Sequence, residues 1–151
     1  MVNIGALIVA AGKSTRMGKP KLLLPFKGAP LITHPVLLAI QNQLQPIVCI
    51  TGGYEEEIAK VLAHFQEHIT INYNPHYESG MASSLKEGIH ALQGKVDAVI
   101  IFLGDQPLVP NKVIQTIIQE YKSYKEKGVK IVRPIYDQQT GHPILFDSSL
   151  F

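Results

Sequence analysis

The feature that most constrains the fold is an alternation of short apolar runs with segments of helical periodicity. The apolar runs are rich in Val and Ile and are too short for helices, so they predict β-strands. These strands are predicted at residues 4–10, 47–51, 69–73, 98–103 and 129–133. Strands that are apolar along their whole length are typical of parallel sheets covered on both faces. The sequence therefore predicts an α/β fold with a mainly parallel sheet.

Helices are predicted between these strands, where apolar residues recur at spacings of three or four. One helix is predicted over residues 35–44. Three more are marked by apolar faces, which are Ile58, Val61, Leu62 and Phe65; Met81, Leu85, Ile89 and Leu92; and Val113, Ile114, Ile117, Ile118 and Tyr121. Parallel sheets bind ligands beyond the carboxyl ends of their strands. We therefore expect the loops at residues 11–21, 51–53, 74–80 and 104–107 to meet at one edge.

The length of the chain indicates how many domains it forms, and its cysteine content indicates its redox compartment. A chain of 151 residues suits a single domain, 1–151. Its one cysteine, Cys49, lies in a predicted strand, so we expect a buried, inert thiol and a reducing, cytoplasmic location. The apolar run at residues 4–11 is short and has no basic segment before it, so a signal peptide is not expected. No apolar run is long enough to span a membrane.

The charges are unevenly distributed along the chain. Five cations precede the first carboxylate, Glu55, and they are Lys13, Arg16, Lys19, Lys21 and Lys27. Such a cluster beside glycines favours a site for a small polyanion, with a solvated basic loop as the alternative. The net charge of +2 is too low to indicate nucleic-acid binding.

The stretch Gly12-Lys13-Ser14-Thr15 looks like the end of a Walker A motif. That motif requires a glycine five positions before Gly12, where this chain has Leu7 inside a predicted strand. The backbone cannot leave the strand early enough to wrap phosphates in the P-loop manner. What remains is a run of small residues that a ligand can approach closely, followed by Arg16 and Lys21 as two clamps for a triphosphate.

Four motifs carry a family resemblance. VAAGKSTRMGKPKLLLPFKGAPLI, residues 9–32, resembles the signature of the MobA-like nucleotidyltransferases. SGMASSLKEGI, LGDQPLVP and TGHPILF follow in the same order as in that family and favour its cytidylyl branch, which joins CTP to molybdopterin. The resemblance implies a Rossmann-like, three-layer α/β domain. It also implies that the chain lacks the family's C-terminal part, which supplies a second metal-binding aspartate and the last helices.

The resemblance implies roles for three candidate catalytic residues. Arg16 would hold the departing pyrophosphate, Lys21 the α-phosphate, and Asp105 a Mg²⁺ ion. These roles fit the chemistry, because two anions must meet and charge builds on the pyrophosphate. The simpler interpretation of Asp105 is that it orders the turn before a helix.

The resemblance also implies binding roles around the nucleotide and the acceptor. Backbone groups would contact base and ribose, further residues would line the nucleotide pocket, and a histidine would lie near the pterin. In that order the residues are Ala10, Ala11 and Gly12; Gly80, Met81 and Ser83; and His142. CTP (or GTP) and molybdopterin are the expected ligands, with a molybdenum hydroxylase or its maturation factor as a further partner. A guanylyl or sugar-phosphate nucleotidylyltransferase and a non-catalytic nucleotide-binding module remain open as alternatives.

Overall fold

Strands and helices alternate along the chain. The computed structural model describes residues 2–12, 15–16, 19–106 and 108–151, and for Thr15, Arg16 and Lys19 it describes the backbone alone. The strands are β1 (Ile4–Ala10), β2 (Thr15–Arg16), β3 (Lys19–Pro20), β4 (Pro25–Phe26), β5 (Ala29–Pro30), β6 (Ile47–Thr51), β7 (Thr70–Tyr73), β8 (Ala98–Leu103), β9 (Ile131–Val132), β10 (Ile135–Tyr136), β11 (Gln139–Thr140) and β12 (Ile144–Asp147). The α-helices are α1 (Thr33–Gln41), α2 (Glu55–Leu62), α3 (Met81–Leu92) and α4 (Asn111–Tyr124). None of the helices in these described ranges is long and apolar enough to cross a membrane.

One six-stranded sheet forms the centre of the fold, in the order β7-β6-β1-β8-β12-β9. The neighbours β7, β6, β1 and β8 are parallel, whereas β12 pairs antiparallel with both β8 and β9. The remaining strands are two residues long, and they form three antiparallel pairs outside this sheet: β2–β3, β4–β5 and β10–β11. A mostly parallel sheet flanked by helices confirms the predicted fold class.

The helices cover the sheet on both faces and so create three layers. Along β1, Ile4, Ala6, Ile8 and Ala10 face the core that includes α1, α2 and α4, and Leu7 and Val9 face the core beneath α3. This alternation is the period of two expected of a strand, and all seven residues of β1 are buried. Gly88 allows α3 to lie directly on β1, because a Cβ at this position would overlap the side chain of Leu7.

The main differences from the sequence prediction lie near the C-terminus. Strands β1, β6 and β8 have the predicted bounds, and β7 is one residue shorter than predicted. The strand predicted at 129–133 is only the two-residue β9, and the prediction did not place β12 among the strands. β12 is short, and its antiparallel pairing depends on the neighbouring β8, so local periodicity does not reveal it. The helix predicted at 35–44 is α1, which begins at Thr33 and ends at Gln41.

A buried polar joint holds α4 against β12. The Tyr121 hydroxyl, on α4, donates a hydrogen bond of 2.6 Å to Asp147 Oδ2, at the end of β12. The backbone N–H of Ser149 donates to Asp147 Oδ1 at 2.9 Å, and Lys130 Nζ lies 3.7 Å from the same oxygen. Both Tyr121 and Asp147 are buried, so each polar atom in this joint needs its partner.

The balance of forces at Asp147 sets its pKa. Burial pushes the pKa up, but the hydrogen bonds from Tyr121 and Ser149 and the charge of Lys130 outweigh burial and lower the pKa to about 2. For Tyr121, burial and the neighbouring carboxylate raise the pKa well above its usual value. The joint is therefore held by an ionised carboxylate and a neutral phenol at neutral pH.

We predict that Asp147→Asn lowers the free energy of unfolding by about 2 kcal/mol at pH 7, because the depressed pKa of Asp147 stabilises the fold wherever this carboxylate is ionised. That contribution is complete above the unfolded-state pKa near 4 and is lost as the pH falls towards 2. Urea unfolding at a series of pH values should therefore show a flatter acid limb for the variant. Asp137→Asn, at an exposed position, is the matched control, and an unchanged acid limb in Asp147→Asn would contradict the assignment.

Candidate functional site

The carboxyl ends of three adjacent parallel strands define the candidate site. β1 lies between β6 and β8, with Ala10 opposite Thr51 and Val9 opposite Leu103. The loops that follow these strands therefore leave from one edge of the sheet, as the sequence predicts. A cavity of about 170 Å³ opens there, lined by Val9, Gly12, Pro20, Lys21, Leu22, Gly53, Tyr54, Ile58, Met81, Leu103 and Asp105.

The β1 and β6 loops are packed against each other at a glycine. A Cβ at Gly52 would lie 2.7 Å from the backbone oxygen of Ala11 and 2.5 Å from the Cβ of Tyr77. Any side chain here would have to displace the loop that contains Ala11 and Gly12. Ala10 and Ala11 are buried, and Gly12 is exposed in the cavity lining, so Gly12 is the one of the three whose backbone faces the cavity.

Two residues that are far apart in sequence form an ion pair at the cavity. Lys21 Nζ lies 3.4 Å from Asp105 Oδ2, and about two-fifths of each side chain is exposed. Lys21 begins a single turn of 3-10 helix, and Asp105 follows β8 by two residues. Exposed pairs of this kind contribute on the order of 1 kcal/mol or less, so either charge can exchange its partner for a ligand.

Two predicted site elements lie partly or wholly outside the described residues. The backbone of Arg16 belongs to β2, but its side chain is not among the described ones. Lys13, Ser14, Met17, Gly18 and Pro107, which belong to the predicted loops, also lie outside the described residues. The role of Arg16 in holding pyrophosphate remains a prediction.

The N-terminus of α3 borders the cavity through Met81, which is half-exposed. Gly80 precedes the helix with φ +117°, a conformation that L side chains rarely adopt. The Ser83 hydroxyl lies within hydrogen-bond distance of the backbone oxygens of Gly80 and His76, at 2.9 and 3.0 Å. Ser83 thus ties the loop to the helix, and neither Gly80 nor Ser83 is among the residues that line the cavity.

Asn74 supports this loop and was not singled out by the sequence analysis. Its side chain is fully buried, and its Nδ2 donates to the hydroxyls of Ser83 and Ser84 at 2.9 and 3.0 Å. Its Oδ1 accepts a hydrogen bond of 2.9 Å from the N–H of His76. The signal in the sequence is an asparagine directly after a strand and two serines in the first turn of the next helix, which is typical of a side chain that caps a loop.

His142 lies at the same edge of the sheet without lining the cavity. It precedes β12, whose first residue, Ile144, is opposite Ile101, so the antiparallel register carries His142 towards the end of β8. Partial burial and the nearby charge of Arg133 lower the pKa of His142. A neutral imidazole at this edge is compatible with a hydrogen-bonding role, and its placement near the pterin stays a prediction.

The cysteine and two larger grooves lie apart from the residues that line this cavity. Cys49 is buried within β6, as predicted, and burial raises the pKa of its thiol to about 12. Two larger grooves of about 390 Å³ lie elsewhere and are lined mostly by apolar side chains.

Within the described part of the chain, no three His, Cys, Asp or Glu residues are grouped so that they could hold a metal ion. Among the described residues that line the cavity, Asp105 is the one carboxylate.

The fold agrees with comparisons to known proteins. A family model described as the MobA-like NTP transferase domain matches residues 6–151. The chain is 31% identical over 145 residues to the molybdenum cofactor cytidylyltransferase of Escherichia coli, and the match covers 96% of this chain and 70% of that protein. It is also 31% identical over 122 residues to the bifunctional protein GlmU of Syntrophotalea carbinolica, covering 80% of this chain but 26% of GlmU.

Solved structures show the same fold. The crystal structure of Rv0371c from Mycobacterium tuberculosis superposes with a TM-score of 0.85 at 24% identity, over 99% of this chain and 74% of Rv0371c. A second structure of Rv0371c, in complex with manganese, gives a TM-score of 0.78 at 22% identity, over 98% of this chain and 72% of that one. These findings define the protein as a member of the nucleotidyltransferase superfamily. Within that class, the chain belongs to the MobA-like NTP transferase domain family.

We predict that Lys21→Gln raises the affinity of the nucleotide-free protein for Mn²⁺ several-fold, because it removes the cation that competes for the Asp105 carboxylate. The same variant should bind a metal–triphosphate complex more weakly, because it loses the cation that is predicted to contact the phosphates. Electron paramagnetic resonance of free Mn²⁺ measures the first effect, and calorimetry with Mn²⁺ and CTP measures the second. Lys122→Gln, an exposed lysine on α4, is the control, and a fall in Mn²⁺ affinity of Lys21→Gln alone would contradict this prediction.

Proposed function

We propose that the protein transfers a cytidylyl group from CTP to the phosphate of molybdopterin and releases pyrophosphate. One observation carries this proposal. Lys21, from the loop after β1, and Asp105, from the loop after β8, meet at a cavity whose lining includes Gly12. The resemblance to a molybdenum cofactor cytidylyltransferase along nearly the whole chain supports the choice of CTP and molybdopterin.

The proposed reaction is a displacement at the α-phosphorus of CTP. An oxygen of the acceptor phosphate forms a new bond to this phosphorus, and the bond to the oxygen that bridges to the β-phosphate breaks. The electron pair of that bond leaves with pyrophosphate. Because the attacking and attacked groups are both anions, catalysis depends on holding them in line and reducing their repulsion.

Lys21 is proposed to hold the α-phosphate. Its ammonium group already lies at the cavity, where it is neutralised by Asp105. In the nucleotide complex, Lys21 would exchange this carboxylate for a phosphate oxygen, so its charge becomes available when the substrate is present. Arg16 is proposed to hold the pyrophosphate, since a guanidinium fork matches phosphate oxygens and stays charged throughout.

Asp105 is proposed as the protein ligand of Mg²⁺. The donor set fits this ion, because Mg²⁺ usually takes one or two carboxylates and completes its shell with water and substrate phosphates. When bound, Mg²⁺ supplies charge neutralisation at the phosphate oxygens. The side chain of Asp105 is partly exposed, and its partner among the described residues is Lys21, so it can turn towards a ligand without leaving a buried charge unpaired.

The other predicted residues take supporting roles in this proposal. The backbone of Ala10, Ala11 and Gly12 would lie along the nucleoside. Gly80 and Ser83 would set the N-terminal end of α3, from which Met81 borders the cavity. His142 would lie towards the acceptor, beside the end of β8. The predicted hydroxylase or maturation-factor partner has no support among the relatives named above and forms no part of the proposal.

Residues 1–151 are proposed to act as one nucleotidyltransferase domain. The same-class alternatives are a guanylyl or a sugar-phosphate nucleotidylyltransferase, since the cavity holds no described group that by itself selects cytosine. A nucleotide-binding module without turnover is the alternative from a different class. Thermal stabilisation by different nucleotides and an assay of pyrophosphate release separate these alternatives from the proposed function.

We predict that CTP stabilises the protein against heat more than GTP, UTP or ATP does. At tenfold its dissociation constant, a ligand adds about 1.4 kcal/mol, which corresponds to a rise in Tm of about 3–6 °C for a chain of this size. Differential scanning calorimetry with each nucleotide and Mg²⁺ measures the shift. A larger shift with GTP or UTP than with CTP would overturn the cytidylyl assignment.

We predict that the protein releases pyrophosphate from CTP only in the presence of molybdopterin, and that Asp105→Asn lowers kcat by about 100- to 1,000-fold, the size of effect found when one electrostatic stabiliser is lost. A pyrophosphate-release assay at saturating Mg²⁺ measures both quantities, with Asp137→Asn as the control. Wild-type turnover by Asp105→Asn would rule out the metal role of Asp105. Binding of CTP without any turnover by the wild-type protein would favour the non-catalytic module.

A further inference from the structure

Tyr54 adopts an unusual backbone conformation at the candidate site. It immediately precedes α2 with φ +60° and ψ +35°, in the left-handed region that aromatic residues rarely occupy. Four other described non-glycine residues have positive φ, namely Lys27, Gln43, Asp137 and Gln138. Of these five, Tyr54 is the one that lines the cavity between β6, β1 and β8. Residues held in such conformations cluster at ligand sites, where the surrounding structure maintains them.

The surroundings of Tyr54 suit a planar, uncharged ring. Tyr54 is a large aromatic residue, yet it is 38% exposed to solvent. It shares the cavity lining with Ile58 and with the half-exposed Met81, so the lining offers apolar groups as well as a charged pair. Aromatic rings stack on one another, and the thioether of methionine also makes favourable contacts with rings.

The charges around the cavity orient a nucleotide in one direction. Glu55, Glu56 and Glu57 form the first turn of α2, directly after Tyr54, and so make that end unfavourable for phosphates. Lys21 pairs with Asp105, which follows β8 on the far side of β1 from β6. An elongated ligand with an anionic end and an uncharged ring is therefore expected to place its phosphates at Lys21 and its ring at Tyr54.

The sheet order gives the matching separation. Tyr54 follows β6 and Asp105 follows β8, and β1 lies between these two strands. Neighbouring strands are about 4.8 Å apart, so the carboxyl ends of β6 and β8 are separated by roughly 10 Å. A nucleotide can bridge this distance from its base to its α-phosphate, with its ribose above Gly12 at the end of β1.

We propose that Tyr54 is the aromatic wall on which the nucleobase of the substrate stacks, and that its left-handed backbone is maintained to aim the ring into the cavity. This inference rests on the proposed nucleotidyl transfer, and it adds a base-binding residue that the sequence motifs do not contain. Stacking on an aromatic side chain favours a planar base and does not by itself select among bases.

The decisive test separates base binding from phosphate binding. Tyr54→Gly should lower the affinity for CTP by about 5- to 150-fold, the usual effect of removing one stacking ring. Its affinity for inorganic tripolyphosphate, which has no base, should stay within twofold of wild type. Tyr54→Phe keeps the ring and should bind CTP within about threefold of wild type. Calorimetry in the presence of Mg²⁺ measures these affinities for the wild type and both variants.

Stability provides the matched control. Glycine tolerates positive φ, so Tyr54→Gly should fold with an unchanged or slightly raised Tm. Gln43→Gly makes the same backbone change at φ +58°, away from the cavity, and should leave CTP affinity unaltered. Tyr54→Asn, a residue that tolerates this conformation but has no ring, provides a second variant and should lose CTP affinity to a similar extent.

The outcomes distinguish this inference from the proposed function. If wild type binds CTP and Tyr54→Gly and Tyr54→Asn bind it equally well, the stacking role is wrong and the proposed function stands. Equal losses for CTP and tripolyphosphate would also overturn the stacking role, since the base would not be what Tyr54 holds. A loss confined to a pterin ligand would assign the ring to the acceptor instead. If wild type binds no nucleoside triphosphate, the proposed function itself fails.

Discussion

The burial of β1 between two parallel neighbours is the constraint on which the rest of the structure depends. All seven of its residues are buried, and its side chains alternate between the two apolar cores. A strand with no exposed face must have a sheet neighbour on each side and a helical layer above and below. Because β6 and β8 run parallel to it, their carboxyl ends and loops come together at one edge. The packing that buries β1 therefore also places the loops of the candidate site at one edge of the sheet.

The electrostatics of that edge follow from the same arrangement. Lys21 and Asp105 are 84 positions apart in sequence and meet only because β1 and β8 are adjacent. Their ion pair is exposed enough to contribute little to stability, so either charge is available to a ligand. The acidic first turn of α2 directly follows Tyr54, which lines the same cavity as Lys21 and Asp105. The buried joint between Tyr121 and Asp147 is the opposite case, because there the charge is fully satisfied and serves to hold α4 and β12 together.

Much of the fold could be predicted from the sequence because the strands are locally distinctive. The runs that become β1, β6 and β8 are apolar along their length, and their bounds were predicted correctly. β12 escaped prediction because it has four residues and owes its place to antiparallel pairing with β8. For the site, the small residues of the first loop and Asp105 were predicted from their motifs. Asn74 and Tyr54 were missed, since an asparagine after a strand and a tyrosine before a helix carry no local sign of what they contact.

The sequence by itself determined where the chain forms buried strands, which loops follow them, and to which family the motifs belong. It could do so because hydrophobic periodicity and turn residues act over a few neighbouring positions. The tertiary structure alone decided that Lys21 faces Asp105, that Asn74 binds the serines in the first turn of α3, and that Tyr54 lines the cavity with a left-handed backbone. These contacts join segments that are distant in sequence, and their geometry depends on the order of strands in the sheet, which no local pattern encodes.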